Sequence, residues 1–196
     1  MKKIFILTAL FAMLPLFLLP NHKIFAKTLE CVKIYEAESG ASFYEIGIEN
    51  GVSELELTNI NNQTSVEPGE KLIIPESTIT TEEKELLARL VTAEAKGEPY
   101  EGKVEVAAVV LNRVEHEQYP DTIEEVIYQE RQFEPVENGA INHPATPEAK
   151  QAVNEALVEQ GKDNQSLNFY NPDIVESKWH ESQTVTVVIG NHVFTK

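Results

Sequence analysis

A single cysteine, Cys31, stands in the 196 residues, which excludes an intramolecular disulfide framework and any cysteine-rich metal site. Basic residues are also scarce: 16 Lys and Arg face 32 Asp and Glu, for a formal net charge of −16. No basic patch or run is long enough to track phosphates, so nucleic acid is not a partner. Glycine-rich phosphate loops are missing, as is a G-x-S-x-G nucleophile elbow. His116, His143, His180 and His192 show no H-E-x-x-H or comparable spacing, so the local signature of a zinc amidase or peptidase is absent, and neither metal nor cofactor is expected. Carboxylate chemistry remains.

What is present begins with packing material. Apolar residues make up 42% of the chain, enough for one or two ordinary cores. The longest apolar run, Ile4 to Leu19, follows Lys2-Lys3 and leads to Ile24-Phe25-Ala26. It is shorter than the ~20 residues a spanning helix prefers and has the layout of an export signal. Residues 1–26 are therefore expected to direct secretion across the cytoplasmic membrane, either cleaved after Ala26 or retained as an anchor. Ile24 is bulkier than the residue usual two places before such a cleavage. Glu30 before Cys31 excludes a lipoprotein signal.

Residues 27–76 read as a small βααβ unit. Val32 and Ile34 alternate with Lys33 and Tyr35, and Lys71-Leu72-Ile73-Ile74 ends at Pro75. Between them Ser42 with Glu45, and Ser53 with Glu56, have the spacing of capping boxes, and Gly51 suits a left-handed helix stop. The stretch resembles the LysM peptidoglycan-binding module through Tyr35, Ser39-Gly40, Phe43-Tyr44-Glu45-Ile46, Gly51-Val52-Ser53, Leu57, Asn61 and Pro68 to Pro75. The resemblance implies glycans containing N-acetylglucosamine as ligand, with Gly40, Ser42, Phe43 and Asn61 as contacts. The sequence departs from the family at Ala41-Ser42, where Asp-Thr is usual, and at Gly47, where alanine is typical. A fold that only spaces or docks is the alternative.

Residues 77–81 form a short linker ending in the cap Thr80, paired with Glu83. Residues 82–196 read as one mainly helical domain. Leu86, Leu87, Leu90 and Val91 mark one helix face, and Glu94, four after Leu90 and three after Val91, extends it. A carboxyl held against apolar neighbours resists ionisation and suits a general acid. The alternative is a glutamate whose stem packs while its head reaches water. Gly97 and Pro99 then break the helix within a turn, placing Glu94 at a corner where a groove can open. Glu98 is either a second site carboxylate or the cap of the next helix, whose buried stripe is Val104, Ala107, Ala108, Leu111 and Val114. A box at Asp121 and Glu124 and the pair Thr146-Pro147 signal further helices. Thr184 to Ile189 and His192 to Thr195, joined by Gly190-Asn191, predict a C-terminal hairpin.

The motifs Leu87 to Val104, Val109 to Val114, Val126 to Gln129, Gln132 to Val136, Phe169 to Pro172, Ser177-Lys178-Trp179 and Ile189 to Phe194 resemble the SleB/CwlJ family of cell wall hydrolases. That resemblance implies a lysozyme-like, lytic-transglycosylase-like domain that cleaves peptidoglycan, with the catalytic glutamate at Glu94. The expected fold is thus α+β: a βααβ module, then a mainly α catalytic domain with a β-hairpin. The expected substrate is a strand of N-acetylglucosamine and N-acetylmuramic acid, or the muramic δ-lactam of spore cortex, and the expected location is the wall or cortex region. Gln132, Phe133, Tyr170, Asn171 and Trp179 are groove candidates, because sugars offer apolar faces and hydroxyls to aromatics and amides. Phe133 and Trp179 could instead be core, Asn171 a turn former and Gln132 a cap. A regulatory protein partner is left open by the sequence. A catalytically silent peptidoglycan-binding protein is the rival function.

Overall fold

The computed structural model describes residues 33–161, 165–175 and 178–196. Residues 1–26, expected from the sequence to direct export, lie outside them, with Cys31 and Val32. β1 (Lys33–Glu36), α1 (Phe43–Asn50), α2 (Glu54–Asn61) and β2 (Lys71–Ile74) follow in the βααβ order, and β1 pairs antiparallel with β2. Ser42 and Glu45 form the anticipated capping box, and Gly51 stops α1 at φ 59°. Ser53 caps α2 differently: its hydroxyl accepts from Leu55 N, and Glu56 does not reach back. A small core of Phe43, Ile46, Val52, Leu57, Leu72 and Ile74 fills the unit.

The rest is built around two long helices, α3 (Thr81–Glu94) and α4 (Tyr100–Glu115). α5 (Ile123–Tyr128), α6 (Glu134–Glu137), a 3-10 turn at Ala140–Asn142 and α7 (Pro147–Val158) complete the helical layer. The cap of α5 is Thr122, paired with Glu125, one residue later than the Asp121 and Glu124 expected, because Thr122 itself holds the extended cap conformation. β3 (Asn168–Tyr170), α8 (Lys178–Glu181), β4 (Val185–Ile189) and β5 (His192–Thr195) follow, and the three strands form an antiparallel sheet in the order β3-β5-β4. The hairpin was expected; its third strand was not, since three residues carry too short an alternation to read.

α4 is the axis of the core. A single buried stripe was expected, yet Val106, Val109 and Val110 are as buried as Ala107 and Leu111. A helix enclosed by neighbours on several sides loses its amphipathic pattern, and α4 meets α3, α5, α7 and β3. Even its polar residues are used. Ser166 Oγ donates to the buried Glu105 carboxylate at 2.6 Å. Arg113 donates to Leu167 O at 2.7 Å and Gln132 Oε1 at 3.2 Å, with its guanidinium over the rings of Tyr119 and Phe133.

The βααβ unit is not strung on a loose tether. Residues 77–80 are tied in: Ser77 Oγ donates to Gly51 O, and Ile79 packs against the larger core. α1 lies on α7. Across that contact Tyr44 donates to Glu155 Oε1 at 3.0 Å while Tyr100, from α4, donates to Oε2 at 2.7 Å. Asn154 Nδ2 donates to Ile48 O, and Lys84 Nζ to Gly51 O. Burial, then the bond to Glu155, pushes both phenols up, so each remains a donor.

Gly47 permits this approach. A Cβ there would stand 2.9 Å from Val158 Cγ2 and 2.9 Å from Val52 O. In an exposed helix Gly→Ala stabilises by roughly 1 kcal/mol, whereas overpacking costs about 1–3 kcal/mol. Gly47→Ala is therefore expected to lower stability, read as a lower urea midpoint at unchanged slope; a raised midpoint would show that the contact yields.

Candidate active site

α3 ends at Glu94, and the backbone turns through Ala95, Lys96 and Gly97 (φ +86°) to Pro99, the N-terminal boundary of α4. The turn is short because the residue before a proline avoids helical dihedrals and glycine accepts the positive φ. Thr92 binds this end of α3 to the start of α7: its hydroxyl donates to Ala88 O at 2.8 Å and accepts from Thr146 N at 3.1 Å. Glu94 is consequently fixed at the edge of the core, half-buried.

A cleft of about 750 Å³ opens there, lined by Thr92, Glu94, Lys96 and Glu98 from the corner, Glu134 from α6 and Asn138 just after it, His143, Asn171 and Ile174, and Asn191 and His192 from the hairpin. Burial raises the Glu94 carboxyl to about 7, and the charge of Glu134 adds to the effect. Near neutrality this acid carries its proton in a large share of molecules, as proton donation to a leaving group requires.

Glu98 does different work. It is 8% exposed, and both its oxygens accept from Asn191: from the backbone N and from Nδ2, each at 2.9 Å. Gly190 is obligatory beside it, since a Cβ would collide with Glu98 Oε2 and with Pro99 Cδ. Glu98 is thus neither the cap of α4 nor a free second acid; it clasps the hairpin turn to the corner. The carboxylate that shares the cleft with Glu94 and is not tied in this way is Glu134, which lay in the quoted sequence motif but carried no periodicity to single it out.

The other candidates separate. Asn171 lines the cleft, and its Oδ1 also accepts from Asp173 N at 2.9 Å, building the turn. Tyr170 stacks on His180 at 4.7 Å, and Trp179, 55% exposed, meets His180 edge-on. Phe133 is a correction: at 3% exposed it packs against Phe169 and beneath Arg113, with no face left for a sugar. Gln132 is exposed and bonded to Arg113 rather than lining the cleft. Phe43 and Asn61 also need correction as glycan contacts. Phe43 is core, and Asn61 spends its amide on Leu57 O, Ile73 O and Ile73 N, pinning α2 to β2. Ser42 Oγ caps α1, and Gly40 (φ +87°) forms an exposed turn. His192 was missed: it is 9% exposed, lines the cleft and packs on Phe169. Its alternation within a strand gave no hint of that.

Residues 97–195 match the family model described as Cell Wall Hydrolase, and the chain belongs to that family. Glu94 stands just before the matched segment. Among curated relatives, the spore cortex-lytic enzyme of Oceanobacillus iheyensis is 39% identical over 112 residues, 57% of this chain and 41% of that protein. The spore cortex-lytic enzyme of Bacillus subtilis is 37% identical over 109 residues, 56% and 36% respectively. The chain thus spans less than half the length of these relatives. Among solved structures, the catalytic domain of the germination-specific lytic transglycosylase SleB from Bacillus anthracis aligns at TM-score 0.58 and 36% identity, covering 63% of this chain and 100% of that one. The catalytic domain of the Bacillus cereus SleB protein aligns at 0.57 and 38% identity, covering 63% and 95%.

The clasp predicts an acid-sensitive fold. Burial opposes ionisation of Glu98, but the two bonds from Asn191, together with the nearby His192 and Lys103, outweigh it and hold the carboxyl below its usual value. A carboxyl lowered in the folded state adds stability above its unfolded pKa of about 4.3, and that contribution is lost as pH falls through the folded value. Wild type should therefore exceed Glu98→Gln in thermal stability at pH 7, with the gap narrowing below about pH 4. A gap independent of pH would mean that shape, not charge, holds the turn.

Proposed function

We propose that this protein is an exported peptidoglycan-cleaving enzyme of lytic transglycosylase type, with Glu94 as its acid and base. The observation that carries the proposal is a glutamate raised to about 7 and lining the cleft at the end of α3, in a chain of the cell wall hydrolase family. Protonated Glu94 gives its proton to the glycosidic oxygen between the muramoyl residue and N-acetylglucosamine as the bond to the anomeric carbon breaks and an oxocarbenium-like centre develops. The muramoyl 6-hydroxyl then attacks that carbon, and its proton returns to Glu94. A 1,6-anhydro end forms, and no water is consumed.

Asn171 and His192 lie where a strand in the cleft could be bonded, and Trp179 offers an exposed ring for stacking. With Glu94 protonated, the charges of Glu98 and Glu134 in the cleft disfavour muramic residues carrying peptide carboxylates. The neutral muramic δ-lactam of cortex escapes that repulsion, and cortex is the preferred substrate in this reading. The basic start and apolar run of residues 1–26 support export. The βααβ order and LysM-like motifs support a glycan-binding module held against the catalytic body. At a net charge of −16, retention on an anionic wall would rest on sugar contacts rather than on general attraction.

Mass spectrometry of fragments released from spore cortex and vegetative peptidoglycan tests this reading. Wild type should release anhydro-muramic ends, and Glu94→Gln, with unchanged thermal unfolding, should lower the rate by at least ~100-fold, the lower end of what a lost general acid costs. Wild-type activity should also decline above about pH 7 as Glu94 ionises. Reducing ends would mean hydrolysis, and fragments released equally by Glu94→Gln would remove Glu94 from the mechanism.

A further inference from the structure

We infer that Glu134 is a second functional carboxylate of this cleft, a positioning residue that keeps the proton on Glu94 and draws it back after each transfer. The inference rests on the reading of Glu94 as the acid. Its basis is where Glu134 is held. It opens α6 between two buried residues, Phe133 and Pro135, so its backbone is anchored on both sides while its own side chain stays exposed and lines the cleft. Phe133 is itself fixed by Phe169 and by the Arg113 guanidinium, which also binds Gln132. A buried cation on α4 thus sets the position of an exposed anion opposite the end of α3.

Among the described residues Glu134 has no ion pair, and its one side-chain bond is a long contact of 3.4 Å from Asn138 Nδ2. The other titratable groups facing Glu94 across the cleft are Lys96 and Glu98 from the corner, His143 after the 3-10 turn and His192 from β5. Glu98 is occupied by Asn191, and Lys96 makes no ion pair with either cleft acid among the described residues. Glu134 is accordingly the neighbour whose charge adds to burial in opposing ionisation of Glu94. Once Glu94 has given its proton to the leaving oxygen, the same repulsion favours recapture of the 6-hydroxyl proton. Glu134 exchanges no proton of its own.

The test is a carboxyl-carbon NMR titration of the full chain labelled at glutamate, with the Glu94 signal identified by its loss in Glu94→Gln, alongside pH-rate profiles. In Glu134→Gln the Glu94 midpoint should fall by about half a pH unit or more, the scale of one nearby charge in a partly solvated site. With the neutral δ-lactam cortex as substrate, the alkaline limb of kcat should move with it, while KM stays unchanged and Glu134→Asp retains most of the wild-type profile. An unmoved Glu94 midpoint overturns the inference. So does a moved midpoint with an unmoved rate profile, or a raised KM at constant kcat, which would make Glu134 a substrate contact. Full activity of Glu94→Gln would instead sink the underlying reading while leaving the titration interpretable.

Discussion

The enclosure of α4 is the constraint on which the rest hangs. Because α3, α5, α7 and β3 all close on it, its two ends become fixed points. At the N-terminal end the corner from Ala95 to Pro99 sets Glu94 against the core and lets Glu98 reach the hairpin. Towards the C-terminal end Arg113 reaches sideways to the strand carrying Tyr170 and to the segment carrying Glu134. Both walls of the cleft are thus referred to one rigid helix, although they come from parts of the chain far apart in sequence.

The electrostatics of the cleft follow from that placement. Two glutamates four residues apart meet opposite fates because of what each can bond. Glu98 receives two donors from Asn191 and is held ionised; Glu94 receives burial and a like charge, which raise it to about 7. This is the division expected wherever environments push two carboxyls apart. Here one of the pair serves architecture, and the other carboxylate lining the cleft, Glu134, comes from another helix.

The βααβ unit adds a different lesson. Small modules of this kind need only a modest core of their own, yet here one face is spent on α7 through Gly47, Tyr44 and the shared Glu155. Gly47, one of the two places where the sequence departs from the LysM pattern it resembles, is the one that makes the close approach sterically feasible. A departure that reads as erosion of a binding motif in one dimension is a docking feature in three.

What the sequence determined by itself was local or periodic: the capping boxes at Ser42 and Thr80, the stops at Gly51 and Gly97, the apolar stripe that carries Glu94 inward, and the Gly190-Asn191 turn. These depend on neighbours within about one helical turn or one hairpin, so spacing alone encodes them. Only the tertiary structure decided the rest. Asn191 claims Glu98 from across the chain, Arg113 packs over Phe133 beside the exposed Glu134, and enclosure on several sides erases the amphipathic pattern of α4. Each depends on which distant groups arrive at hydrogen-bonding or contact distance, and no periodicity records that.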